Sequence, residues 1–267
     1  MKIGIFDSGI GGLCVLHEAM KKLPSADFIY YADVKHVPYG TKPKEEILNL
    51  CENIMDYMVS QKVDAVVVAC NTATSVAIKT LREKYSFPII GMEPAIKKAR
   101  EEYPKGRTLV MATPVTVKGD KLKYLLEKVD QKGQVDLVPM PKLVSFAEEG
   151  VFECLELKEY IESQLADFNL EEYSSLVFGC THFNYFKLTL RALLPDNIHF
   201  VDGVEGTVSQ LKRKLKEQGL LKTTVKDIFN EASPHVEYLF SGETANSKQE
   251  IFIRELHQRL DIVEKIY

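Results

Sequence analysis

The chain alternates short apolar runs with longer segments that carry apolar residues at helical spacing. The clearest run is Ala65-Val-Val-Val-Ala69. Three valines between alanines suit a pleated surface covered on both faces, so a buried strand is predicted. From Thr74 to Lys84, Val76, Ala77, Ile78 and Leu81 recur at helical spacing. The same reading gives strands at 2–6, 27–32, 87–92, 108–112, 135–138, 174–179, 199–202 and 236–240. Helices are expected up to Lys22, over 44–61, from Glu93-Pro94-Ala95 with Pro94 near the start, and over 117–128, 157–166, 185–194, 208–217 and 247–260. Pro139-Met-Pro141 and Gly203–Gly206 read as turns. This βα rhythm predicts an α/β fold of mostly parallel sheets covered by helices.

One unit occurs twice. Cys70 ends the valine strand and stands just before a helix; Cys180 ends the run Ser174-Ser-Leu-Val-Phe-Gly179 and is followed by Thr181-His182. Two such units 110 residues apart suggest two related halves, each contributing one thiol. In open α/β sheets the carboxyl edge of the strands binds ligands. Backbone N–H groups and the helix dipole there favour anions, a thiolate or a substrate carboxylate among them. A single Cys in such a place commonly just packs; two in matching contexts point to chemistry.

Other loops fall at the same edge. Asp7-Ser-Gly-Ile-Gly-Gly12 follows the first strand, but Cys14 stands where a dinucleotide fingerprint needs its third glycine, and no Gly-Lys-Ser/Thr follows. Asp7 and Ser8 suit either a helix cap or the binding of an ammonium group. Asp33 to Gly40, with Pro38 and Tyr39, is a second loop able to close over a ligand.

Composition narrows the field. A net charge of -4 gives no electrostatic footprint for nucleic acid. No apolar run reaches the roughly 18 residues of a membrane helix. The N-terminal stretch Met-Lys-Ile-Gly-Ile-Phe-Asp7 meets a charge too early for a signal peptide. Five cysteines without CxxC pairing suit a reducing cytoplasm rather than a disulfide framework.

Two thiols at ligand-binding edges allow several chemistries. A metal centre wants three or four ligands, and only Cys180 and His182 lie close in sequence. A redox pair lacks its usual spacing. A Cys–His hydrolase needs one Cys and a base, and the Cys180 and His182 side chains diverge if both continue the strand. A binding protein without catalysis has no use for two thiols. Symmetric acid/base work at the two faces of one carbon uses both.

Asp7-Ser-Gly-Ile-Gly-Gly12, Asp33 to Pro38-Tyr-Gly40, Ala69-Cys-Asn-Thr-Ala-Thr74 and Gly179-Cys-Thr-His182 resemble, in this order and spacing, the motifs of the glutamate racemases. The likeness runs over essentially the whole chain. It implies two pseudo-symmetric α/β domains, residues 1–94 plus 207–267 and residues 95–206, with the active site between them and the 236–240 strand returning to the first sheet. It implies no cofactor and no metal. Cys70 and Cys180 would exchange the α-proton, Cys70 with D-glutamate and Cys180 with L-glutamate, assisted by Asp7 and His182. Ser8, Tyr39, Gly40, Asn71, Thr72 and Thr181 would bind the substrate, with Thr74 a further contact. Glu148 matches a family glutamate near His182, although Leu143 to Ala147 departs from the usual surroundings. The resemblance further implies D-glutamate supply for peptidoglycan, a bacterial cytoplasm, a homodimer, and no activation by a wall precursor. Racemisation of aspartate or another acidic amino acid is the nearest alternative.

Overall fold

A computed structural model of the protein describes residues 1–130, 132–221 and 234–266. It has two sheets. The first runs in the order β10-β9-β2-β1-β3-β4 and the second β6-β5-β7-β8. The first contains β1 (Lys2–Asp7), β2 (Asp27–Ala32), β3 (Ala65–Val68), β4 (Ile89–Gly91), β9 (Val236–Phe240) and β10 (Glu243–Thr244). The second contains β5 (Arg107–Ala112), β6 (Val135–Pro139), β7 (Tyr173–Gly179) and β8 (His199–Val201). All pairings are parallel except that of β10 with β9.

The order 2-1-3-4 in the first sheet returns as 6-5-7-8 in the second. Each half therefore has one reversal of strand order, between β1 and β3 and between β5 and β7. The crevice at the carboxyl ends of such strands is where open α/β sheets bind ligands. Cys70 follows β3 and Cys180 follows β7, so the two thiols occupy equivalent positions. The tail strand β9 extends the first sheet by pairing with β2.

Helices α1 (Leu13–Lys22), α2 (Lys44–Ser60) and α3 (Asn71–Lys84) cover the first sheet, and α4 (Ile96–Glu102), α5 (Pro114–Val117), α6 (Asp120–Val129), α7 (Pro141–Glu148), α8 (Leu155–Leu165) and α9 (Lys187–Leu193) belong to the second half. Helix α10 (Val204–Glu217) and a C-terminal helix (Ser247–Val263) pack back on α1. Val66, Val67 and Val68 are fully buried. Burial of each contributes about 1.5–3 kcal/mol relative to exposure, and their branched side chains also favour the strand.

Several boundaries differ from the sequence reading. Helix α3 starts at Asn71, not Thr74, because Cys70 itself caps it: the Ala73 N–H donates to Cys70 Sγ at 3.4 Å. Glu93 and Pro94 lie outside α4, which begins at Ile96; the residue before a proline disfavours the helical region, and the chain here passes between sheets. The helix expected over 117–128 is α6, which starts at Asp120; a separate short helix, α5, precedes it across Lys118-Gly119. Helix α7 was absent from the periodic pattern and begins with Pro141 in its first turn. Residues Thr181–Phe186 form a 3-10 turn ahead of α9. Residues 206 and 207, where the sequence reading divides the chain, lie in the first turn of α10, which starts at Val204. Residues 222–233 and 267 of the expected first domain lie outside the described residues.

Candidate active site

The site forms where the carboxyl ends of the two sheets meet. Asp7, the last residue of β1, is fully buried. One carboxylate oxygen accepts the Gly9 N–H at 3.0 Å; the other accepts the Thr181 hydroxyl, from the opposite half, at 3.0 Å. Ser8 lies beside it, with its hydroxyl 3.5 Å from Asp7. Burial raises the Asp7 carboxyl above the usual carboxylate range, opposed by the charge of His182 and by these two hydrogen bonds.

Cys70 is buried, with its thiol 3.7 Å from the Ser8 hydroxyl. The helix-cap position suggests a stabilised thiolate. The surroundings reverse that expectation: burial, then the Asp7 carboxylate, pushes the Cys70 thiol up to about 12. The Ala73 N–H only partly offsets this. Charge on Cys180 also raises Cys70.

Cys180 is served differently. Strand β7 ends at Gly179 and the 3-10 turn brings His182 Nδ1 to 3.8 Å from Cys180 Sγ. The two side chains thus converge across the turn. His182 Nε2 meets Glu148 Oε1 at 2.6 Å, and that oxygen also accepts the Ile10 N–H at 2.8 Å. Burial alone would lower the His182 pKa; Cys180 and Glu148 outweigh it and hold the ring well above the usual histidine range. An imidazolium therefore lies between a carboxylate and a sulfur.

The glycine loop allows this closeness. A Cβ on Gly9 would sit 1.8 Å from Glu148 Oε1, and one on Gly11 would sit 2.4 Å from His182 Nδ1. No side chain fits at either position while the His182–Glu148 pair stays in place.

The remaining expected residues divide into two groups. Thr72, from the first half, has its hydroxyl 2.8 Å from Thr113 and 3.3 Å from Thr116 of the second. Gly40 abuts Thr113. The Asn71 side chain is buried with both amide atoms unpartnered, and a polar group so placed is costly unless something pairs with it. These groups surround the seam between the halves. Thr74 differs: its hydroxyl donates to Val68 O and accepts the Met92 N–H, both at 3.1 Å, tying α3 to β3 and β4. Tyr39 also points inward, its hydroxyl donating to buried Asp33 at 2.6 Å, so it holds the loop through its side chain and offers the neighbouring backbone.

Sequence reasoning missed Thr113, Thr116 and the Ile10 N–H. Thr113 follows β5, the counterpart of β1, so its position was recoverable from the repeat of strand–loop–helix units. Nothing local signals the Ile10 contact, which spans 138 residues.

Asp7→Asn removes a charge that raises the Cys70 pKa. Cys70 should then be alkylated by iodoacetamide at a lower pH than in the parent protein, while turnover falls about 10²–10⁴-fold with a smaller change in KM. Peptide mass spectrometry across pH, with steady-state kinetics, checks this. Unchanged labelling, or an effect on KM alone, would reassign Asp7 to substrate binding.

Two thiols on equivalent strand ends, one beside a carboxylate and one beside an imidazolium, line the crevice of an internally repeated α/β protein. The chain belongs to the Asp/Glu/Hydantoin racemase family, whose model matches residues 14–211. It is 48% identical over 269 residues to the glutamate racemase of Lachnospira eligens, covering 100% of both chains. It is 53% identical over 226 residues to that of Campylobacter curvus, covering 82% of this chain and 85% of the relative. Among solved structures, glutamate racemase from Francisella tularensis in complex with D-glutamate superposes with a TM-score of 0.79 at 27% identity, over 96% of this chain and 93% of that one.

Proposed function

We propose that the protein interconverts L- and D-glutamate by removing the α-proton on one face with one cysteine and returning a proton on the other face with the second. The carrying observation is the paired environment of Cys70 and Cys180. Cys70 is held as a thiol by burial and Asp7, which suits it to donate. Cys180 sits against an imidazolium fixed by Glu148, which suits a sulfur that gains negative charge. In the L-to-D direction Cys180 accepts the proton and Cys70 delivers one; in the reverse direction the roles exchange. Asp7 and His182 assist as charge partners.

The substrate-binding set is Asp7, Ser8, Tyr39, Gly40, Asn71, Thr72, Thr181, His182 and Glu148, with Thr113 and Thr116 added. Thr74 drops to a supporting role. The unpartnered Asn71 amide and the threonine hydroxyls suit carboxylates, and Asp7 suits the ammonium group. We assign residues 1–94 and 203–267 to one domain and 95–202 to the other.

The homologues named glutamate racemase support this substrate over aspartate. D-glutamate for peptidoglycan, a cytoplasmic setting and a homodimer belong to the same reading. Five free thiols are consistent with a reducing compartment, and among the described residues no helix is long and apolar enough to cross a membrane. Polarimetry with L-glutamate and L-aspartate, without added cofactor, tests the assignment. Turnover of glutamate should survive both EDTA and removal of pyridoxal phosphate. Loss on chelation that one metal restores, in protein that circular dichroism shows still folded, would overturn the proton-transfer mechanism through side chains alone.

A further inference from the structure

We propose that His17, Asp261 and Glu264 form a zinc-class divalent metal site that staples helix α1 to the C-terminal helix. Among the described residues these are the one group of three metal-ligating side chains with ligand atoms all within 4.8 Å of one another. His17 Nε2 lies 3.1 Å from Asp261 Oδ1 and 3.4 Å from Glu264 Oε1. Tetrahedral zinc with legs of about 2.0–2.2 Å separates its ligand atoms by about 3.3–3.6 Å, so these groups need move only slightly. Asp261 and Glu264 are three residues apart on one helix and so share a face. His17 is buried, which fixes its ring, whereas the two carboxylates reach solvent and leave an entry path.

Two further features support a cation here. Lys21 Nζ already lies 3.3 Å from Asp261 and 2.6 Å from Glu264. It shows that both carboxylates converge on one positive charge. The Lys21 side chain is 42% exposed and can swing into water. Behind the ring, His17 Nδ1 faces His257 Nδ1 at 2.9 Å, and His257 Nε2 faces the Tyr238 hydroxyl at 3.4 Å. With metal on Nε2, His17 carries its proton on Nδ1 and donates to His257, whose Nε2–H then points to Tyr238. A metal-bound histidine characteristically donates its other N–H in this way, and that bond fixes the ring and its tautomer. Without metal, both histidines take the opposite tautomer and every bond in the chain is still made.

None of these side chains hydrogen-bonds to Asp7, Cys70, Cys180 or His182 among the described residues, so the metal would stabilise rather than catalyse. The test uses the 267-residue protein stripped with chelator and dialysed. Zinc sulfate titrated by calorimetry should bind at one equivalent and raise Tm, and cobalt should give the intense visible absorption of a four-coordinate ion. The double variant Asp261→Asn, Glu264→Gln, which changes only exposed groups, should lose both effects. His17→Gln should weaken binding by more than the roughly 10–100-fold that losing an outer-shell partner costs. Lys21→Met, relieved of a competing charge, should bind zinc more tightly. Zinc affinity that is unchanged in the double variant and lost instead in Cys180→Ser would place the metal at the thiols and overturn the proposal, as would looser binding in Lys21→Met.

Discussion

Replacing Cys70 by serine should abolish net racemisation of L-glutamate, and replacing Cys180 by serine should do the same. A serine hydroxyl keeps the size and donor geometry of the thiol but is far less acidic, so it neither holds the charge left by proton donation nor removes an α-proton. Each acid/base group contributes roughly 10²–10⁴-fold, and both are needed for inversion, so the loss in either variant should reach or exceed the upper end of that range. The two variants should nevertheless differ. With Cys180 intact, Cys70→Ser can still begin the reaction on L-glutamate.

In deuterium oxide the parent protein should give D-glutamate carrying α-deuterium, while unreacted L-glutamate stays largely protiated at early times. The Cys70 thiol, pushed up to about 12, equilibrates with solvent as SH or SD and enters the L-to-D reaction in its donor form. Cys180 removes protium and releases it only after turnover. Cys70→Ser should show slow deuterium uptake into L-glutamate without the D enantiomer. Early-time NMR or mass spectrometry of both pools decides this. Equal deuterium in recovered substrate and product from the start would mean one shared base, and the roles assigned to the two thiols would fail.

Which parts of this were visible in the sequence follows from which forces are local. The valine run before Cys70 and the apolar run before Cys180 declare themselves because strands buried on both faces read as continuous hydrophobic segments. The repeated unit then brings the two thiols to equivalent edges. Helix α7 was not visible: Pro139 and Pro141 look like punctuation, yet Pro141 serves as a first-turn proline. Glu148 was placed in the site by resemblance alone; its contact with His182 joins separate elements of the second half, and its contact with the Ile10 N–H crosses to the first. Periodicity carries no information about such pairings. The protonation of Cys70 is not legible locally for a related reason: the helix-cap position is written in the sequence, but the burial and the Asp7 charge that outweigh it arise only in the folded chain. The break between α5 and α6 at Gly119 and the early start of α3 are likewise fixed by contacts rather than by spacing.

The Glu148–His182 pair should carry the second largest effect, and glycine substitution offers a way to remove it without changing a charge. Glu148→Gln deletes the anion that helps hold His182 protonated, so the His182 pKa should fall. Below that pKa the imidazolium still supports charge on Cys180; above it the support is lost. The alkaline limb of kcat in the L-to-D direction should therefore move to lower pH, and turnover at neutral pH should fall about 10²–10⁴-fold. Gly9→Ala should reproduce this phenotype, because its methyl would overlap Glu148 Oε1 and force the carboxylate away from the ring. Circular dichroism and thermal melting establish that the variant remains folded. The two changes act on one interaction, so the double variant should be little worse than either single one, as coupled residues behave. Full activity in Gly9→Ala, or an unshifted alkaline limb in Glu148→Gln, would remove Glu148 from proton transfer and leave it a bridge between the glycine loop and the second half.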